Sequence, residues 1–177
     1  MTRTKKYLDC FKKMAFFSGI MFGLFMGLKF GFWPGIKSGI IFGISFSTVA
    51  ILVLIPIDYL LTRNLPAEAL KVNQNREIHV QGDFEKVFEK CLQTLKELEY
   101  IKTIQPLKDK MTISAHTKLS NVSWGENIKL MFGLNNNNII TIYINSSPII
   151  KFTVLDYGKN FKNVENIAKE IKSALKW

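Results

Sequence analysis

The sequence predicts an α+β protein: a two-span transmembrane helical hairpin, followed by a soluble antiparallel sheet with two helices on one face. Three observations carry this. Residues 14 to 61 hold only Lys29, Lys37 and Asp58 as charges, in a chain that is 21% charged. Seven of the eleven glycines stand four residues apart: Gly19, Gly23, Gly27, Gly31, Gly35, Gly39 and Gly43. Beyond residue 76, apolar residues alternate in several short runs and recur on helical spacing in two longer ones. The changes in composition divide the chain into a basic N-terminus (1–13), the hairpin (14–61), a linker (62–75) and an α+β domain (76–177). The last is about the length that buries one modest core.

The first span runs from about Met14 to Trp33 and the second from about Gly39 to Leu61. Each is near the ~20 residues that cross ~30 Å of hydrocarbon. Lys29 is close enough to the end of its span to snorkel to the headgroups. Phe32-Trp33-Pro34-Gly35 is expected to form the connection, with Pro34 turning the chain and starting the second helix. Phe30, Phe32 and Trp33 make an aromatic group at the far interface. A cleaved signal peptide is the rival reading of the first span. No Ala-x-Ala-like site follows, and a second span begins at once.

Glycine at every fourth position strips one side of a helix and lets another backbone approach. Gly19, Gly23 and Gly27 are expected to meet Gly39, Gly43 and Ser47 within the hairpin; packing against a second copy is the alternative. No ionisable residue is placed at mid-membrane to line a pore. Arg3, Lys5, Lys6, Lys12 and Lys13 precede the first span, and Arg63, Lys71 and Arg76 follow the second. By the positive-inside rule, the N-terminus and the domain are cytoplasmic in an inner membrane. The net charge of +10 is partly this topological signal, which argues for anionic lipid and against nucleic acid. Cys10 and Cys91 form no disulfide framework. Ala67 to Lys71 suggests a turn of interfacial helix.

In the domain, Glu77 to Gln81 reads as a strand, and Asp83 as the N-cap of a helix over about 83–99. That helix shows Phe84, Val87, Phe88, Cys91, Leu92, Leu95 and Leu98 on one face, which makes Cys91 a core residue. Alternation predicts strands around 111–116, 127–132, 140–145 and 150–155, with Asn135 to Asn138 as a hairpin loop and Ser146-Ser147-Pro148 as a turn. A last helix over about 162–176 presents Val164, Ile167, Ala168, Ile171 and Leu175.

The other sheet face would carry Thr112, Ser114, His116, Lys129, Met131, Thr141, Tyr143, Lys151 and Thr153. It reads as a solvated face, or more sharply as a ligand or partner surface centred on His116, Lys129, Tyr143 and Lys151. Gly158, Lys159 and Asn160 open the last helix and suggest an anion site; the plainer reading is a positive-φ turn at Gly158 and a cap at Asn160 or Asn163. Ser123, His116 and Glu126 do not fit a known hydrolytic motif, and a Trp-Gly turn packed under the sheet is the expectation for Trp124-Gly125. His79 and His116 have no metal spacing with either cysteine. The sequons at Asn121 and Asn145 carry no weight on the cytoplasmic side.

The combination of Ser123-Trp124-Gly125-Glu126, Ser147-Pro148 and Asp156-Tyr157-Gly158-Lys159-Asn160-x-x-Asn163-Val164 resembles small membrane-associated bacterial proteins of unknown function. The resemblance covers roughly the last 60 residues and implies no catalytic residue. The leading functional expectation is a membrane-anchored binding module. A glycine-zipper oligomer regulated by its domain comes second, and an enzyme last. No cofactor or metal is expected. The expected partners are the bilayer, a second copy through the glycine strips, and a protein or lipid on the open sheet face.

Overall fold

The computed structural model describes residues 2–120, 123–135 and 139–175. Asn136 to Asn138 of the expected loop and the sequon at Asn121 lie outside them. The chain forms two compact units, Met1–Leu70 and Lys71–Trp177.

The first unit is an antiparallel helix pair, α1 (Arg3–Phe30) and α2 (Phe32–Thr62). Both helices are long and apolar enough to cross a membrane. Thr2 caps α1 through its side chain, which accepts from the Lys5 N–H. The basic N-terminal residues are therefore helical. Gly31 alone breaks the helices, with φ +95°, a conformation open to glycine and strained for other residues. The chain therefore turns at Gly31, not at Pro34. Pro34 sits in the first turn of α2, where a backbone N–H would lack a helical partner anyway. A short 3₁₀ turn, Ala67–Leu70, follows α2.

The second unit holds one five-stranded antiparallel sheet: β1 (Gln74–Gln81), β2 (Ile101–Leu107), β3 (Thr112–Thr117), β4 (Glu126–Asn135) and β5 (Ile139–Pro148), in the order β1-β5-β4-β3-β2. Two helices join it, α3 (Phe84–Glu97) and α4 (Lys159–Ala174). Asp83 caps α3 by accepting from the Lys86 N–H. The core gathers Val87, Phe88, Cys91 and Leu95 of α3 and Val164, Ile167 and Ile171 of α4. From the sheet come Ile78, Ile113, Ala115, Ile128, Leu130, Phe132, Ile140, Ile142 and Ile144. Burial of the Cys91 thiol raises its pKa from 9.0 to about 12, so it is inert near neutral pH.

Three expectations are corrected. Residues 150–155 form no strand: 149–152 bend, and Ile150 and Phe152 are exposed. The fifth strand is β2, which alternation does not reveal because its partly buried residues fall three apart, at Ile101, Ile104 and Leu107, across a register shift between Ile101 and Thr103. Gln74 and Asn75, expected in the linker, pair with Ser146 and Asn145, and Ser146-Ser147-Pro148 continues β5 instead of turning.

Candidate functional site

Four groupings bear on function. The first is the contact between α1 and α2. A Cβ on Gly39 would lie 2.6 Å from the Gly19 carbonyl oxygen and 2.9 Å from Gly23 Cα. One on Gly35 would lie 2.6 Å from Gly27 Cα, and one on Gly43 2.5 Å from the Ala15 carbonyl oxygen. The strip therefore joins Gly19, Gly23 and Gly27 to Gly35, Gly39 and Gly43, backbone against backbone. Gly31 faces open space and serves the turn. The Phe22 and Phe42 rings stack across the pair at 4.3 Å. Ser18, Ser38, Thr48 and Thr62 donate to carbonyls four residues earlier, which satisfies hydroxyls inside apolar helices. Ser47 is buried, but its hydroxyl has no partner.

The second is a charged clamp at the open end of the pair. Lys6 Nζ lies 2.8 Å from both carboxylate oxygens of Asp58, with side-chain exposures of 1% and 0%. Tyr7 donates its hydroxyl to Asp58 Oδ2 at 3.1 Å. The Arg3 guanidinium donates to Thr62 Oγ1 and the Thr62 carbonyl, both at 2.9 Å, and lies 5.2 Å from the Tyr59 ring centre. Sequence reasoning missed this clamp. Lys6 and Arg3 counted only as topological charges, and nothing in the pattern links them to residues more than fifty positions away.

The third is a buried polar chain in the domain. Glu126, 1% exposed, accepts from Thr117 Oγ1 at 2.6 Å, from the Ser123 hydroxyl, and from Asn163 Nδ2 at 3.3 Å. Asn163 also reaches Ser146 Oγ at 3.3 Å, and Ser146 donates to Asn160 Oδ1 at 2.6 Å. The Asn160 N–H and Nδ2 both donate to Asp156 Oδ2 at 3.1 Å, and the Gly158 N–H donates to Asp156 Oδ1 at 3.3 Å. The two constellations that the sequence presents separately are thus one network, joined by Asn163 on Glu126, with Ser146 linking Asn163 to Asn160.

This geometry corrects the anion site. Gly158 does take a positive φ, 72°, but the N–H groups of Gly158 and Asn160 already serve the carboxylate of Asp156. Asn160 and Asn163 are buried helical residues, not caps. Lys159 Nζ lies 5.6 Å from the Tyr100 ring centre. The Tyr100 hydroxyl is buried without a partner. Burial, then Glu170 and Glu126, raises its pKa to about 12. The hydrolytic set is not assembled either. His116 pairs with Asn127, so it projects to the face opposite Glu126.

The fourth is the open sheet face. Strand register places Ser114 beside Lys129, Met131 beside Tyr143, and Glu77 beside Tyr143. His116, Lys129 and Tyr143 are exposed there. His79 Nδ1 lies 3.1 Å from Thr141 Oγ1. Lys151 does not join this face, because it belongs to the loop after β5. Trp124 is 72% exposed rather than packed under the sheet. Among the described residues, no group of three His, Cys, Asp or Glu side chains is placed to hold a metal.

No family model and no curated protein matches this chain. Among solved structures, it is similar to the di-domain ARO/CYC StfQ of the steffimycin biosynthetic pathway (TM-score 0.35, 11% identity, 59% of this chain and 50% of that one). It is also similar to TTHA0849 of Thermus thermophilus (TM-score 0.31, 10% identity, 58% and 90%). A third is the di-domain ARO/CYC BexL of the BE-7585A pathway (TM-score 0.34, 11% identity, 82% and 59%). The chain thus spans about half the length of the first of these. Likeness at this level assigns neither fold nor activity.

Proposed function

We propose that this chain is a membrane-anchored binding module. α1 and α2 form a two-span hairpin in the cytoplasmic membrane, and the N-terminus and the domain lie on the cytoplasmic side. The observation that carries the anchor is the outer surface of the helix pair. Leu24, Phe25, Leu28, Leu52 and Leu60 are each more than 60% exposed, while the charges of Lys6 and Asp58 are paired inside. A soluble protein rarely exposes so continuous an apolar surface, whereas lipid solvates it.

The open sheet face, with His116, Lys129 and Tyr143, is the recognition surface of this reading. Separation of His116 from Ser123 and Glu126 supports binding over catalysis. A photoreactive phenylalanine analogue at Tyr143, in the full chain in native membranes, tests this. It is expected to give a discrete adduct that weakens with His116→Ala or Lys129→Ala, while the same group at Lys96 on α3 gives none. No adduct at 143, or an equal one at 96, counts against the module.

One observation favours a second reading, an oligomer through the helix pair. An apolar groove of about 570 Å³ runs along the glycine strip, lined by Phe16, Ile20, Leu24, Leu28, Ile36 and Ile40. The glycines themselves are taken up within the chain, so Leu24→Ser or Ile40→Ser separates assembly from hairpin packing better than a glycine change. Loss of cross-linked dimers with the helix pair intact favours the oligomer.

A further inference from the structure

We propose that one end of the domain is a lipid-docking surface, in which the loop after β3 and the loop after β5 insert apolar side chains into the headgroup region of an anionic leaflet. The inference rests on the anchored reading above. Leu119 is 69% and Trp124 72% exposed, and Ile149 and Ile150 are more than 40% exposed. They are not scattered. The Ile149 N–H donates to the Gly125 carbonyl at 3.1 Å, and a Cβ on Gly125 would touch Ile149 Cδ1 at 3.1 Å. Trp124 and Ile149 are therefore neighbours on two joined loops. Exposed Lys118 and Lys151 stand in the same loops.

The described residues of both loops are tied down. Glu126, Thr117 and Ser123 tie the base of the first loop, and Asp156 and Asn160 tie the far end of the second, all in one buried network. Ser120 and Ser123 bridge the first loop by backbone bonds. Exposed apolar side chains on an anchored scaffold are placed for contact rather than left over from folding.

The occupant follows from position and chemistry. Gln74 starts β1 opposite Ser146, and Glu126 starts β4 opposite Pro148. The two loops therefore leave the end of the sheet at which the chain arrives from α2. Residues 63–73 hold Gln74 within about 40 Å of the end of α2. A bilayer surface is then the nearest large apolar acceptor. Tryptophan and isoleucine flanked by lysine match the interface of an anionic leaflet, with rings and aliphatics at the acyl boundary and ammonium groups at the phosphates.

The chain has three tryptophans, Trp33, Trp124 and Trp177, so two single-tryptophan proteins test the proposal. Full-length Trp33→Phe/Trp177→Phe keeps Trp124, and Trp124→Phe/Trp177→Phe keeps Trp33. Each is reconstituted into phosphatidylcholine vesicles with or without phosphatidylglycerol, using lipids brominated high on the acyl chains. Trp124 is expected to emit at shorter wavelength and to be quenched in the anionic vesicles. Lys118→Ala and Lys151→Ala should each lower its docked-to-free ratio by about fivefold. Leu119→Ser/Ile150→Ser should return it toward water-like emission with an unchanged circular dichroism spectrum. Trp33 quenched with Trp124 water-like overturns the docking alone; neither quenched overturns the anchor as well. A blue-shifted but unquenched Trp124 means that protein covers the patch, and overturns lipid as the occupant. Equal quenching without phosphatidylglycerol overturns the anionic preference.

Discussion

In the helix pair the helices touch backbone to backbone; in the domain the helices pack through side chains. Gly39 reaches Gly19 and Gly23 with nothing in between, whereas Ile142 and Ile144 are buried in one cluster with full side chains of α3 and α4. The two also treat buried charge differently. The pair encloses a cation against an anion, Lys6 and Asp58, while the domain surrounds Glu126 with neutral donors from Thr117, Ser123 and Asn163. In the anchored reading, lipid offers no hydrophobic gain for bringing two helices together, so close approach and a polar tie must do it. Water does offer that gain to the domain, whose polar network sets geometry instead.

The comparison breaks first at the glycines. Gly39→Leu is expected to separate α1 from α2 altogether, above the roughly 1–3 kcal/mol of ordinary overpacking, because the atoms it meets are backbone. A cysteine pair replacing Phe22 and Phe42 should cross-link in the parent and fail to do so in the variant. Next comes the clamp. Asp58→Ala leaves Lys6 buried and unpaired and should cost about 3–5 kcal/mol, while Lys6→Met/Asp58→Leu recovers most of it. Thermal unfolding of the pair in detergent reads both. Ile142→Ala should lower domain stability by about 2–5 kcal/mol and leave the 22–42 cross-link unchanged; a change in both would show that the units are not independent.

A smaller effect is expected with pH. Cys91 and Tyr100 each hold their proton more tightly folded than unfolded, with values raised from 9.0 and 10.0 to about 12. Their contribution is complete below pH 9 and is lost as pH rises toward 12. Domain stability should fall across that window, and less so in Cys91→Ala. Smallest of all, Ser47→Ala removes a buried hydroxyl without a partner and should stabilise the pair by about 1 kcal/mol.

Much of this was legible in the chain where a local period carries it. The glycine spacing pointed to Gly19, Gly23 and Gly27 against Gly39, Gly43 and Ser47, where the structure has Gly35 in place of Ser47, and the helical period put Cys91 in the core. What local pattern does not carry was missed. The Lys6–Asp58 clamp depends on the turn at Gly31 setting the helix register. β2 has no two-residue alternation and contains Pro106 at a sheet edge, where the missing N–H is tolerated. The alternation at 150–155 misled because Ile150 and Phe152 are exposed in a loop. Ser123-Trp124-Gly125-Glu126 and Asp156 to Asn163 stand out separately in the sequence, and only the folded chain brings Asn163 onto Glu126.

Cysteine accessibility in sealed inner-membrane vesicles tests the central claim most directly. Cys10 and Cys91 are buried, so single cysteines at Lys12, Trp33 and Lys162 report alone to a membrane-impermeant maleimide. The account predicts that 12 and 162 label from the cytoplasmic side and 33 from the opposite side. All three labelling from one side would contradict a hairpin that crosses the membrane.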